Sequence, residues 1–191
     1  MAAIAVRRAR ETDAPAIAHV HVLAWQAAYR GIVADAVLDG LSVVRREAIW
    51  REVLAAADGP SFTLVADRED AVAGFCSVIA PSRDDDADAT TCEVAAIYVA
   101  PESWRRGVGR ALLGAALHDA REDGRQQATL WVFAANHAAR AFYQRLGFAP
   151  DGARMLDEHS GEQEIRMRAV LAAGTPQQAP AAADPTRGST A

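Results

Sequence analysis

Val99-Ala-Pro-Glu-Ser-Trp-Arg-Arg-Gly-Val-Gly-Arg-Ala-Leu-Leu113 is the stretch on which the reading of this chain turns. It joins an apolar strand, Ile97-Tyr98-Val99, to a helix carrying Leu112, Leu113, Ala116 and Leu117, through a short loop with two glycines. Gly107 and Gly109 lack a Cβ, so the main chain can bend sharply there and approach a ligand closely. The first helical N–H groups have no acceptor within the helix, and the aligned peptide dipoles add partial positive charge at that end. Arg105, Arg106 and Arg110 surround the same point, with Val108 between the glycines. Together these groups suit a di-anion such as a pyrophosphate. The same spacing also fits an ordinary strand-to-helix turn with solvated arginines, and the spacing alone does not separate the two. Two other glycine loops are excluded. No Gly-Lys-Ser/Thr follows, as a Walker A loop requires, and Gly-Val-Gly-Arg-Ala-Leu lacks the third glycine of a dinucleotide fingerprint.

Upstream, residues Ala3 to Ala9 read as a strand. Asp13 is placed to cap a helix continued by Ile17, Val20, Leu23 and Ala24 to about Tyr29, where Arg30-Gly31 breaks it. Ser42 caps a second helix with Val43, Ile49, Trp50, Val53 and Leu54, stopped by Asp58-Gly59-Pro60. Phe62 to Ala66 and Ala71 to Ala80 flank an Arg68-Glu69-Asp70 turn and read as a hairpin. A polar loop, Ser82 to Ala89, leads to the strand Thr91 to Val99. Downstream come a strand at Thr129 to Phe133, a helix at Asn136 to Leu146 and a strand at Ile165 to Leu171. The order β-α-α-β-β-β-α-β-α-β predicts a mixed α/β (α+β) domain, its mixed sheet covered by helices on both faces.

Composition sets outer limits. The 191 residues suffice for one domain with a sizeable core, taken here as residues 1–171. The Ala-, Pro-, Gln- and Thr-rich residues 172–191 are expected to be disordered. Hydrophobic residues at 51% exclude a disordered protein overall, and no apolar run is long enough for a membrane span. Met1-Ala-Ala-Ile-Ala-Val-Arg-Arg8 has no cationic leader followed by an apolar segment, so the cytoplasm is the expected location. A net charge of −5 argues against a general nucleic-acid binder. Cys76 and Cys92 sit in apolar runs and read as buried thiols. No metal is expected. His19 and His21 lie two apart on a helix and face different ways, and Asp84, Asp85, Asp86 and Asp88 read as a solvated loop.

A second motif follows the glycine loop: Asn136-His-Ala-Ala-Arg-Ala-Phe-Tyr-Gln-Arg-Leu-Gly-Phe148. Ile97-Tyr98-Val99, Pro101, Gly107-Val-Gly-Arg-Ala-Leu-Leu113 and this run, in that order, resemble the GNAT N-acetyltransferases. The resemblance is densest from Glu93 to Phe148 and extends loosely over about residues 3 to 170. It implies a mostly antiparallel sheet and acetyl-CoA as co-substrate. It implies that the coenzyme pyrophosphate sits on Arg105, Arg106, Gly107, Val108, Gly109 and Arg110. The pantetheine arm would run along Ile97, Tyr98 and Val99 like an added strand. Asn136 resembles the asparagine that contacts that arm, Arg140 belongs to the same cofactor-binding stretch, and Tyr143 resembles the tyrosine near the thioester sulfur. One departure is Trp104, where the family usually has Gln or Arg. The loop's main-chain donors survive that change, and Trp104 is expected to pack beneath the loop.

Acetyl transfer to an amine needs a neutral amine, a polarised carbonyl and a protonated leaving thiolate. A lysine-like amine, with a pKa of about 10.4, is almost wholly ammonium at neutral pH, so a proton acceptor helps. Glu93, at the start of the strand lining the cleft, is the candidate base, directly or through a water. Its other reading is a polar strand end facing solvent. The main-chain N–H of Ile97 or its neighbour would polarise the carbonyl. Tyr143 is the candidate acid, its alternative being a core aromatic beside Phe142 and Leu146. Trp25 and Tyr29 are expected on the acceptor side, although Trp25 reads equally well as core. A small-molecule amine is the expected acceptor, with a protein N-terminus or lysine as the alternative and a non-catalytic acyl-CoA-binding module as the second. A homodimer is left open.

Overall fold

The computed structural model describes residues 3–56 and 59–171. The tail expected to be disordered lies outside them, as does Asp58 of the expected helix stop. Strand β1 (Ala5–Arg8) leads into helix α1 (Ala14–Ala28), short α2 (Asp35–Asp39) and α3 (Val43–Ala55). Strands β2 (Phe62–Arg68), β3 (Ala71–Ile79) and β4 (Thr91–Val99) follow, then α4 (Val108–Glu122), β5 (Gln127–Phe133), α5 (His137–Gln144), β6 (Ala149–Leu156) and β7 (Gln163–Val170).

Local chemistry explains most boundaries. The Ser42 hydroxyl accepts from the Arg45 N–H at 3.3 Å and caps α3 as read. Asp13 stands at the start of α1, but its side chain makes no capping hydrogen bond to that helix. Its carboxylate instead binds the Arg7 guanidinium at 2.7 and 2.9 Å and accepts from the Arg10 N–H. The β2–β3 hairpin turns through Glu69 and Asp70, both left-handed at φ 53° and 62°.

All seven strands form one sheet in the order β1-β2-β3-β4-β5-β7-β6. Every pairing is antiparallel except β4 with β5. That parallel pair has three rungs, Thr91 with Gln127, Cys92 with Ala128 and Glu93 with Thr129. Beyond Glu93 the two strands part, while β4 stays paired with β3 as far as Val99. A bulge between Ser77/Ala96 and Val78/Val94 leaves Ala95 out of register and exposed in mid-sheet.

Helix α4 seals one face with Leu112, Leu113 and Ala116 packed on Leu64, Cys76, Cys92, Leu130 and Met167. Helices α1 and α3 cover the other, where Ile17, Ala18, Val20 and Trp50 meet Val65 and Phe75. Both cysteines are buried, and burial pushes the Cys92 thiol up to about 11. These thiols are core filling.

Two elements have no counterpart in the expected order. Helix α2 is five residues long, too short to show a period. Strand β6 runs along the edge, exposed for nearly its whole length, with Pro150, Asp151 and Gly152 at a bulge. Those residue types disfavour strands, so a turn is what its sequence suggests.

Candidate active site

The loop between β4 and α4 is a main-chain concavity. Trp104 does not pack beneath it. The indole is 42% exposed, and its N–H donates to the Val99 carbonyl at 2.7 Å, tying the loop to the end of β4. Arg105 is left-handed at φ 58° and Gly107 at φ 89°, where Gly107 forms the N-cap of α4. The N–H groups of residues 105–110 donate to nothing among the described residues. A Cβ on Gly109 would stand 3.4 Å from the Phe142 ring. Arg105, Arg106 and Arg110 are exposed and have no ion-pair partner among the described residues, while Val108 is buried and anchors the helix start. Unpaired amides, a helix N-terminus and free guanidinium groups therefore converge where an extended di-anion would be held.

Helix α5 stands beside this loop. Its cap is Asn136, whose side chain accepts from the Ala139 N–H at 3.1 Å. Arg140 donates to the Ala134 carbonyl at 2.9 Å, and its Nε is buried without a partner. Tyr143 is 9% exposed, with ring centroids 5.3 Å from Phe142 and 6.1 Å from Phe148. Burial pushes its hydroxyl pKa well above the usual tyrosine value, and neighbouring Tyr98 and Cys76 add to the shift.

Glu93 needs correction. It is neither free in the cleft nor a solvent-facing strand end. The residue is 4% exposed, and its carboxylate accepts from Arg83 Nε at 2.9 Å and Arg83 Nη2 at 2.5 Å. The acidic loop is also not simply solvated. Asp84 accepts from the Thr129 hydroxyl, the Trp131 indole and the Ser82 hydroxyl at 2.8, 2.9 and 3.0 Å. Asp86 takes both Arg166 Nη groups at 2.5 and 2.6 Å. The loop is thereby clamped over β5 and β7.

On the α1 side of the gap between β4 and β5 stands an aromatic wall. Trp25 and Tyr29 meet edge to face at 5.0 Å, and Tyr29 meets Phe133 the same way at 4.8 Å. His21 stacks on Tyr98 at 4.7 Å while its Nδ1 accepts from the Trp50 indole at 3.1 Å. Burial, helped by Arg46, holds His21 down to about 3. The Trp25 indole N–H is buried and lacks a hydrogen-bond partner of good geometry. Glu164 on β7 is opposite Phe133 in register. Burial lifts its carboxyl to about 7, with Asp157 and Glu93 adding to the shift.

The Acetyltransferase (GNAT) family model matches residues 25–148, the span that holds both the loop and the gap. The chain belongs to the GNAT family. Among similar proteins, the uncharacterized N-acetyltransferase YuaI of Bacillus subtilis is 28% identical over 167 residues, 87% of this chain and 90% of that one. Mycothiol acetyltransferase of Thermobispora bispora is 36% identical over 89 residues, 47% of this chain and 30% of that one. Among solved structures, the PaiA N-acetyltransferase of Thermoplasma acidophilum, in complex with coenzyme A, superposes with a TM-score of 0.71. It is 20% identical and covers 88% of this chain and 99% of that one. YncA of Salmonella typhimurium, with acetyl-CoA, gives a TM-score of 0.66 at 21% identity, covering 90% of this chain and 96% of that one. The protein is an acetyl-CoA-dependent acyltransferase.

In this acetyltransferase the fold brings most of the expected site residues to one gap. Ile97, Tyr98 and Val99 form its β4 lip, the residue 105–110 loop its end, and Trp25 and Tyr29 its α1 side. Sequence reasoning missed Arg83, Phe133 and Glu164. The signal for Glu164 was present. Glu164, Arg166 and Arg168 alternate with Ile165, Met167 and Ala169, which marks a charged face on a strand that proves to be central.

Proposed function

We propose that this enzyme moves the acetyl group of acetyl-CoA directly to a primary amine in a ternary complex, with a small molecule as acceptor and residues 1–171 as the catalytic unit. The observation that carries this reading is the gap between β4 and β5. The unpaired amides of residues 105–110 lie at its coenzyme end, and an aromatic, acidic wall stands on the other side. The pyrophosphate rests on those amides with Arg105, Arg106 and Arg110 around it, and the pantetheine arm lies along Ile97–Val99 near Asn136 and Arg140. The main-chain N–H near Ile97 polarises the thioester carbonyl. The Tyr143 hydroxyl is protonated at neutral pH, as an ordinary phenol is, so it is available as a donor to the leaving sulfur.

A small acceptor is favoured because the wall is recessed: Phe133 is buried and Trp25, Tyr29 and Glu164 are half-buried, which admits a small amine more readily than a folded surface. Coenzyme A release should be followed with amines, amino acids, polyamines and peptides. Turnover confined to peptides would replace the small-molecule reading by the protein-acceptor one. Acetyl-CoA binding without turnover on any acceptor would leave a non-catalytic module.

A further inference from the structure

We propose that Glu164 is the proton acceptor of this transfer, drawing the acceptor's ammonium to the wall of Trp25, Tyr29 and Phe133, so that the acceptor is a small cationic amine. The inference rests on the direct-transfer reading above and assigns the base that Glu93 does not supply.

Placement is the first argument. Glu164 is paired in register with Phe133 on β5 and with Met155 on β6, so it shares the sheet face of the aromatic wall. Phe133 lies within 4.8 Å of the Tyr29 ring and 6.3 Å of the Trp25 ring. Aromatic faces attract an ammonium, and a carboxylate beside them strengthens the hold.

Availability is the second. Among the described residues no donor reaches the Glu164 carboxylate, whereas Glu93 is closed by two hydrogen bonds from the Arg83 guanidinium and a longer one from the Arg83 N–H. The nearest cation along the same face, Arg166, is taken by Asp86 and Asp151, with Asp84 3.4 Å away. Arg168 is engaged by Asp151 and Gln127. The groups that face Glu164 are Glu93 and Tyr98 from β4, Tyr29 from α1 and Asp157 after β6, while its β5 partner Phe133 is uncharged. None of them is cationic. A half-buried carboxyl among anions and phenols waits for a positive partner, and its value of about 7 suits proton exchange at neutral pH.

The protons balance. Glu164 takes one proton from the ammonium, freeing the nitrogen lone pair. The N–C bond to the acetyl carbon forms and the C–S bond breaks, its electron pair leaving on sulfur. Tyr143 gives its proton to sulfur and regains one from the new amide nitrogen. Glu164 releases its proton to water, so ammonium and thioester yield amide, thiol and one proton.

The test uses the full chain carrying ¹³C-labelled glutamate carboxyls. One carboxyl should titrate near neutrality and vanish in Glu164→Gln. Saturating n-butylammonium should lower that midpoint by about one pH unit or more, and n-butanol should leave it in place. With the best amine from the acceptor screen, Glu164→Gln should lower kcat about 10²-fold and flatten the acidic limb of the pH profile. Glu164→Asp should recover part of the loss, with acetyl-CoA affinity and melting temperature unchanged in both variants. A Glu164 midpoint in the ordinary carboxylate range, indifference to n-butylammonium, or near-normal kcat in Glu164→Gln would overturn the assignment. Failure of the unmodified enzyme to bind acetyl-CoA would instead strike the acetyltransferase reading, and the titration would still decide Glu164.

Discussion

The two sides of the β4–β5 gap are made of different materials. The side proposed for the coenzyme is main chain: six N–H groups from consecutive residues, 105–110, shaped by left-handed Arg105 and Gly107. The side proposed for the acceptor is side chain: Trp25 and Tyr29 from α1 and its end, Tyr98 from β4, Phe133 from β5 and Glu164 from β7. A main-chain site depends on conformation and tolerates changes of side chain, which is why Trp104 can stand at the loop entrance. A side-chain site depends on identity at several distant positions, and that is where one acetyltransferase can differ from another without altering the fold.

The largest expected effect tests whether a single side chain carries chemistry. Tyr143→Phe keeps the ring against Phe142 and Phe148 but removes the donor, so kcat should fall by about 10² to 10⁴-fold with acetyl-CoA affinity nearly unchanged. Near-normal kcat, with chemistry rate-limiting, would make Tyr143 a packing residue. Next comes the backbone side. Gly107→Val forces a β-branched residue to φ 89° and should weaken acetyl-CoA binding about tenfold or more by calorimetry. Arg105→Ala should cost less than that. If the arginine substitution proved the more damaging, the coenzyme side would be a charge site and the contrast would fail.

The third prediction concerns the support of the acceptor wall. His21 is neutral when folded down to about pH 3, against an ordinary value of 6.5. Between those values the unfolded chain binds a proton that the folded chain does not, so stability is full above about pH 6.5 and falls as pH drops. At pH 5 the loss should reach about 2 kcal/mol, and it should shrink in His21→Gln, which keeps an acceptor for the Trp50 indole. Denaturant titrations at several pH values check this, and an identical pH dependence in the variant would remove His21 as the cause. The smallest effect is expected at Trp104. Trp104→Phe deletes the hydrogen bond to the Val99 carbonyl and should cost about 1 kcal/mol of stability by chemical denaturation. A loss of several kcal/mol would show that the coenzyme loop depends on that side chain after all.

Legibility in the sequence followed the same division. The 105–110 loop is one contiguous stretch whose glycines and arginines are visible together, although their spacing alone left an ordinary strand-to-helix turn equally open, and the cap at Ser42 was legible in the same local way. The acceptor wall is assembled by topology. Phe133 and Glu164 meet because β7 inserts between β5 and β6, an order that no local pattern announces. Glu93 was misjudged because its partner, Arg83, lies ten residues away in a polar loop with no period to fix its direction. Asp84 and Asp86 read as solvated for the same reason, although Arg166 draws them onto the sheet from 80 residues away. Strand β6 was invisible because an exposed edge imposes almost no composition on its residues.

The three rungs that join β4 to β5 also have a mechanical meaning. Strands β1 to β4 form one hydrogen-bonded plate and β5, β7 and β6 another, and the seam between them is the narrowest part of the sheet. A plate resists flexing in proportion to its bonded width, so bending concentrates at that seam. An extended molecule lying along Ile97–Val99 would act as a splint, replacing the missing rungs and fixing the angle between the plates. The spacing between the coenzyme loop on one plate and Glu164 on the other would then be set by the length of the splint.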